Sequence, residues 1–99
     1  MIDRGPYTLR LTAAANDLLS GAHPQLKKKI RAAFEALLRD PYSGKGLQRE
    51  LAGYWTYRVG SYRIVYRPES RRVDVIAFGP RERIYEETYR LVKAESRKK

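Results

Sequence analysis

Apolar positions change their spacing along the chain, and each change marks an element. At Tyr7–Leu11 they alternate with polar ones, Tyr7, Leu9 and Leu11 against Thr8 and Arg10, which predicts a short half-buried strand. Thr12 then offers a hydroxyl able to cap a helix over Ala13–Ser20, and Gly21 suits its end. His23-Pro24 opens a second helix, with Pro24 at the first position, where a missing N–H costs nothing. That helix is the clearest element: Leu26, Ile30, Ala33, Phe34, Leu37 and Leu38 recur at three- and four-residue spacings as one apolar stripe, and Asp40-Pro41 ends it. Lys27, Lys28, Lys29 and Arg31 lie off the stripe and read as a solvated face.

Pro41–Gly53 reads as a loop, with a turn of structure around Leu47–Leu51. Strands are expected over Tyr54–Val59, Tyr62–Arg67 and Arg72–Phe78, joined by Gly60-Ser61, which suits a type II′ hairpin turn, and by the turn Pro68–Arg71. From about Arg81 the spacing becomes helical, with Ile84, Thr88, Leu91 and Val92 on one side. The order is β-α-α-β-β-β-α. It predicts an α+β fold: a small antiparallel four-stranded sheet, an N-terminal helical hairpin and a C-terminal helix, with the helices on one sheet face.

A two-residue loop at Gly60-Ser61 fixes the hairpin register. Val59 then faces Tyr62, Arg58 faces Arg63, Tyr57 faces Ile64, Thr56 faces Val65 and Trp55 faces Tyr66. Trp55, Tyr57, Val59, Tyr62, Ile64 and Tyr66 share the face expected to pack on helices. Tyr54, Thr56, Arg58, Arg63, Val65 and Arg67 share the other. Arg58 and Arg63 become cross-strand neighbours of like charge, which costs a sheet up to ~1 kcal/mol unless an anion sits between them. A guanidinium fork matches phosphate oxygens, so a phosphodiester is the natural ligand. The plainer alternative is an exposed face whose arginines serve solubility or pair with Glu69, Asp74 or Glu82.

Composition points the same way. The 99 residues hold 21 Lys plus Arg against 11 Asp plus Glu, a net charge of +10, which attracts polyanions. The length suits a single domain over residues 1–99 with one modest core. No apolar run approaches a bilayer span and no signal-peptide pattern occupies Met1–Pro6, so a cytoplasmic protein without membrane contact is expected. With no Cys and His23 as the sole histidine, thiolate chemistry and Cys- or His-rich metal sites are excluded; no metal or cofactor is expected, and His23 reads as a loop or cap residue.

The run Leu51-Ala-Gly-Tyr-Trp-Thr-Tyr-Arg-Val-Gly-Ser-Tyr-Arg-Ile-Val-Tyr-Arg67, followed by Val75-Ile-Ala-Phe-Gly-Pro-Arg-Glu-Arg-Ile-Tyr85, resembles the central and C-terminal signature of RelE-like toxins, in the RelE/ParE superfamily. The element order is similar over nearly the whole chain. The resemblance implies a toxin of a type II toxin–antitoxin system: a ribosome-dependent, metal-independent endoribonuclease that cuts mRNA through attack of the ribose 2′-OH on the adjacent phosphodiester. It implies three partners, a cognate antitoxin protein, the ribosome and mRNA. Its catalytic set falls on Arg81, Tyr85 and Arg63: Arg63 as a phosphate contact, Arg81 on the charge of the pentacovalent phosphate, and Tyr85 stacking on a base and moving a proton. Arg58, Arg63, Arg67 and Arg83 are the implied RNA- and phosphate-binding residues.

The pattern also departs from the family. Thr56 lies where some relatives place a lysine, and Pro80 where many carry a histidine. Without that histidine Tyr85 is the best available base, and a phenol serves so only where surrounding cations favour its ionised form. Tyr89, one helical turn on, is the alternative stacking residue. Other readings stay open: Tyr85 as a core aromatic, Arg81 paired with Glu82 or Glu86. At the level of function the alternatives are a ParE-like inhibitor of DNA gyrase without catalytic activity, and a module that binds RNA without cutting it.

Overall fold

The computed structural model describes residues 3–4, 7–80, 84–86, 88–90 and 92–93. Among these residues the strands are β1 (Asp3–Arg4), β2 (Tyr7–Leu11), β3 (Lys45–Gly46), β4 (Trp55–Val59), β5 (Tyr62–Glu69) and β6 (Arg72–Pro80), and the helices α1 (Ala13–Ser20) and α2 (Pro24–Arg39). A 3-10 turn at Arg49–Leu51 falls in the expected loop, and residues 84–86, 88–90 and 92–93 are helical. The fold is α+β, as expected.

The sheet differs from a four-stranded antiparallel one. Its order is β1-β2-β6-β5-β4-β3, with two-residue strands at both edges. β2 runs parallel to β6, with Leu9 opposite Val73 and Leu11 opposite Val75, so the sheet is mixed. β4, β5 and β6 form an antiparallel meander. β2 and β4 therefore point the same way, and a connection between such strands must cross over the sheet. α1 and α2 are that connection, which places them on one face.

Local chemistry sets both helix starts. The Thr12 hydroxyl accepts from the Ala15 N–H at 3.1 Å and donates to the Ile76 carbonyl at 2.6 Å, so one side chain caps α1 and ties it to β6. His23 Nδ1 accepts from the Gln25 N–H at 3.1 Å ahead of Pro24, the capping role open to it in the sequence. Ile30, Ala33, Phe34, Leu37 and Leu38 of α2 are buried against Leu9, Ile64, Tyr66, Val73, Val75 and Phe78 of the sheet. Trp55, Tyr57, Val59 and Tyr62 pack at the border of this core, as the hairpin alternation predicts.

The expectation that all helices cover one face does not hold. Ile84 is buried with Val65 and Ala77, whose side chains point away from α1 and α2, and Leu47, Tyr54 and Tyr85 pack around them. A bulge makes this second cluster possible. Val65 pairs with Ala77 and Tyr66 with Val75, which leaves Ile76 as an extra residue in β6. Its insertion reverses the alternation, so Val73, Val75 and Phe78 reach the main core while Ala77 reaches the other face. Among the described residues, no helix is long and apolar enough to cross a membrane.

Candidate nucleic-acid interface

The β4–β5 register is the one the two-residue loop dictates: Trp55 opposite Tyr66, Arg58 opposite Arg63, Val59 opposite Tyr62. Gly60 takes φ +61, as the first loop residue of a type II′ turn requires. Arg63 also faces Gly79 of β6, so Arg58, Arg63 and Gly79 form a row across three strands. Arg58 is exposed and its Nε donates to the Gly60 carbonyl at 3.2 Å. Arg63 is half-buried. Among the described residues, no carboxylate pairs with either guanidinium.

The next row on the same face is Thr56, Val65 and Ala77. Thr56 is buried, and its hydroxyl has no hydrogen-bond partner among the described residues. A long cation would have to be accommodated here inside a closed position, which is a physical reason for the absent lysine. Gly79 leaves space at its Cα, and a Cβ placed there would lie 3.6 Å from Ile84 Cδ1. Tyr85 is half-buried against the Val65–Ala77–Ile84 cluster, one residue beyond the anchor of the C-terminal helical segment. Tyr89, the alternative stacking residue, is 42% exposed and 5.6 Å from the Lys93 ammonium.

Arg67 belongs to a different part of this face. It pairs with Glu69 at 3.1 Å and approaches Asp74 at 3.8 Å, and its Cζ stands 5.7 Å from the centre of the Tyr54 ring. Arg72 reaches the same carboxylates. Its Nη2 donates to Asp74 Oδ2 at 3.2 Å, while the closer Nε–Oδ1 approach, 2.7 Å, is an ion pair without hydrogen-bond alignment. The bond to Asp74, then the field of Asp74 and of Glu69, push the Arg72 pKa above its ordinary value. The structure thus brings Arg58 and Arg63 together and sets Arg67 apart. Arg81 and Arg83 lie outside the described residues; Pro80, just before Arg81, pairs with Tyr62 beside the Arg63–Gly79 pair.

For Arg67 the plainer expectation, pairing with Glu69 and Asp74, is what the structure shows, and sequence reasoning missed Arg10 and Arg72 as neighbours in the same cluster. Arg10 faces Asp74 only because β2 and β6 are parallel partners, and no local signal in either strand reveals that pairing.

An α+β domain that holds Arg58 and Arg63 side by side on one sheet face presents positive charge, which attracts anions. Residues 9–85 match the family model described as the ParE toxin of the type II toxin–antitoxin system parDE. The chain is 40% identical over 73 residues to Toxin RelG of Mycobacterium tuberculosis, covering 72% of this chain and 84% of that one. It is 37% identical over 94 residues to Toxin RelE of the same organism, covering 86% and 92%. The solved toxin–antitoxin complex RelBE2 of M. tuberculosis contains a chain similar at TM-score 0.70 and 36% identity, over 78% of this chain and all of that one. The chain belongs to the RelE/ParE superfamily and is a toxin of a type II toxin–antitoxin system.

Proposed function

We propose that this toxin is of the RelE type, a ribosome-dependent endoribonuclease that cuts mRNA without a metal. The observation that carries the reading is the Arg58–Arg63 pair, two like charges held opposite each other without a carboxylate among the described residues, on the face where Tyr85 packs. A pair of that kind is favourable when a phosphodiester lies between the guanidinium groups. In the reaction the 2′-oxygen loses its proton and attacks the adjacent phosphorus, the 5′-oxygen leaves and takes up a proton, and a 2′,3′-cyclic phosphate remains. Arg63 and Arg58 hold the phosphate in line, Arg81 neutralises the extra charge of the pentacovalent state, and Tyr85 stacks on the base and moves the proton. Arg83 adds a further cation. The proposed partners are the ribosome and mRNA, in the cytoplasm, and a cognate antitoxin; the solved relative in a toxin–antitoxin complex supports the last.

The second reading, inhibition of DNA gyrase by binding alone, is favoured by one observation: the matching family model is that of ParE. In vitro translation with cleavage mapped by primer extension separates the two. Wild type should yield discrete cuts within the translated message, and Arg81→Ala, Tyr85→Phe and Arg63→Ala should each slow them on the order of 10²-fold or more, the usual cost of removing one charge-stabilising or proton-moving group. Intact message together with gyrase inhibition would establish the second reading.

A further inference from the structure

On the same sheet face, away from the Arg58–Arg63 pair, three arginines converge on one carboxylate. Arg10 of β2 and Arg67 of β5 are the two cross-strand neighbours of Asp74 on β6, and Arg72 stands two residues before it. Asp74 is buried at 8% exposure, and Arg72 and Arg67 contact it at 2.7 and 3.8 Å. These residues line a cleft of about 370 Å³ together with Thr12, Tyr54 and Ile76.

An ion-pair network accounts for part of this arrangement. Asp74 and Glu69 pair with both Arg67 and Arg72, although the Nε of each guanidinium has no hydrogen-bond acceptor among the described residues. It does not account for Arg10, which is exposed, has no ion-pair partner among the described residues, and faces a carboxylate already engaged by two other guanidinium groups. A third cation added to a balanced pair of ion pairs raises local repulsion with no return inside the protein. A bound anion supplies the return. Asp74 then acts as an internal counterion that fixes the Arg72 and Arg67 forks in advance, and Arg10 closes the cleft from the β2 side; fixing donors before binding lowers its entropic cost.

We propose that Arg10, Arg67 and Arg72 form a second phosphate seat, which takes a backbone phosphate of single-stranded RNA outside the bond that is cut. The identity of the strand rests on the activity proposed above; the seat rests on the cluster itself. Arg67 lies four residues from Arg63 along β5, roughly 13 Å at the rise of a strand, so the two places hold different phosphates. The seat fixes where the strand runs over the sheet, and the Arg58–Arg63 pair holds the reacting group.

The test is equilibrium binding of a short 2′-O-methyl RNA, which has no free 2′-OH and is not cut, measured against salt concentration for wild type, Arg10→Gln and Arg10→Lys. The Arg10 side chain is exposed and makes no ion pair among the described residues, and thermal unfolding of each variant verifies that the fold is kept. Arg10→Gln should bind several-fold more weakly, with the slope of log affinity on log salt reduced by about 0.7, the value for one lost phosphate contact on a single strand. Arg10→Lys should recover the slope. Unchanged affinity and slope in Arg10→Gln, or a wild type that binds inorganic phosphate but not the RNA, would overturn the seat. A wild type that shows the Arg10 effect but leaves translated message intact would retire the proposed cleavage and leave the seat standing.

Discussion

Tyr66 shows how one side chain holds the loop beneath the cationic face. It is fully buried, its hydroxyl donates to the Pro41 carbonyl at 2.7 Å, and burial raises its pKa from 10.0 to about 12 despite the opposing bond from the Gly44 backbone. The folded state therefore favours the protonated phenol. Its contribution is complete below pH 10 and is lost as pH rises towards 12, an effect on the order of 2–3 kcal/mol. Tyr66→Phe should cost about 1–3 kcal/mol in urea unfolding at pH 7, because the buried carbonyl of Pro41 loses its donor. The same variant should show a shallower loss of stability between pH 10 and 12 than wild type. Thr56 offers the opposite case: its buried hydroxyl has no partner among the described residues, so Thr56→Val should raise stability by about 1 kcal/mol, read as a higher unfolding midpoint. Gly44 tolerates no side chain, since a Cβ there would collide with the Thr56 carbonyl and the Tyr66 hydroxyl.

At the scale of elements, Thr12 joins two that the sequence reads as independent. Thr12→Ala removes both the cap of α1 and the link to the bulge carbonyl, and should destabilise by about 1–2 kcal/mol in thermal or urea unfolding. Legibility followed range. The β4–β5 register could be read because a two-residue loop with Gly60 first leaves one pairing, and α2 could be read because its stripe spans four turns. The parallel pairing of β2 with β6 could not, since it joins residues more than sixty positions apart with nothing local to mark it. The bulge was equally hidden: Val73, Val75, Ile76, Ala77 and Phe78 are all apolar, so their pattern does not reveal which face each one takes. For the site, Arg58 and Arg63 were placed by the hairpin alone, whereas the separation of Arg67 depends on Glu69, two residues on along β5, and on Asp74, which lies opposite it only once β5 and β6 pair.

For the molecule as a whole, charge and stability pull in opposite directions. A net charge of +10 on 99 residues attracts polyanions and strains the folded state through self-repulsion. The unfolding temperature should therefore rise when NaCl is increased from about 20 to 300 mM, which shortens the screening length well below the size of the domain. RNA binding should weaken over the same interval. A fall in both would indicate that ion pairs such as those around Asp74 outweigh the repulsion.

The extra residue in β6 also constrains how this chain can be compared or rebuilt. It acts as a phase shift in a two-beat rhythm: every residue after Ile76 is read on the opposite beat from those before it. An alignment that closes this one-position gap would assign Phe78 to the face of Arg58 and Arg63 and Gly79 to the core, and a chimera built from it would carry the right strand turned over. Deleting Ile76 itself would instead restore a regular ladder, since the Tyr66–Val75 and Val65–Ala77 pairs would then be successive and every face kept, and segments exchanged with relatives should be cut on one side of it.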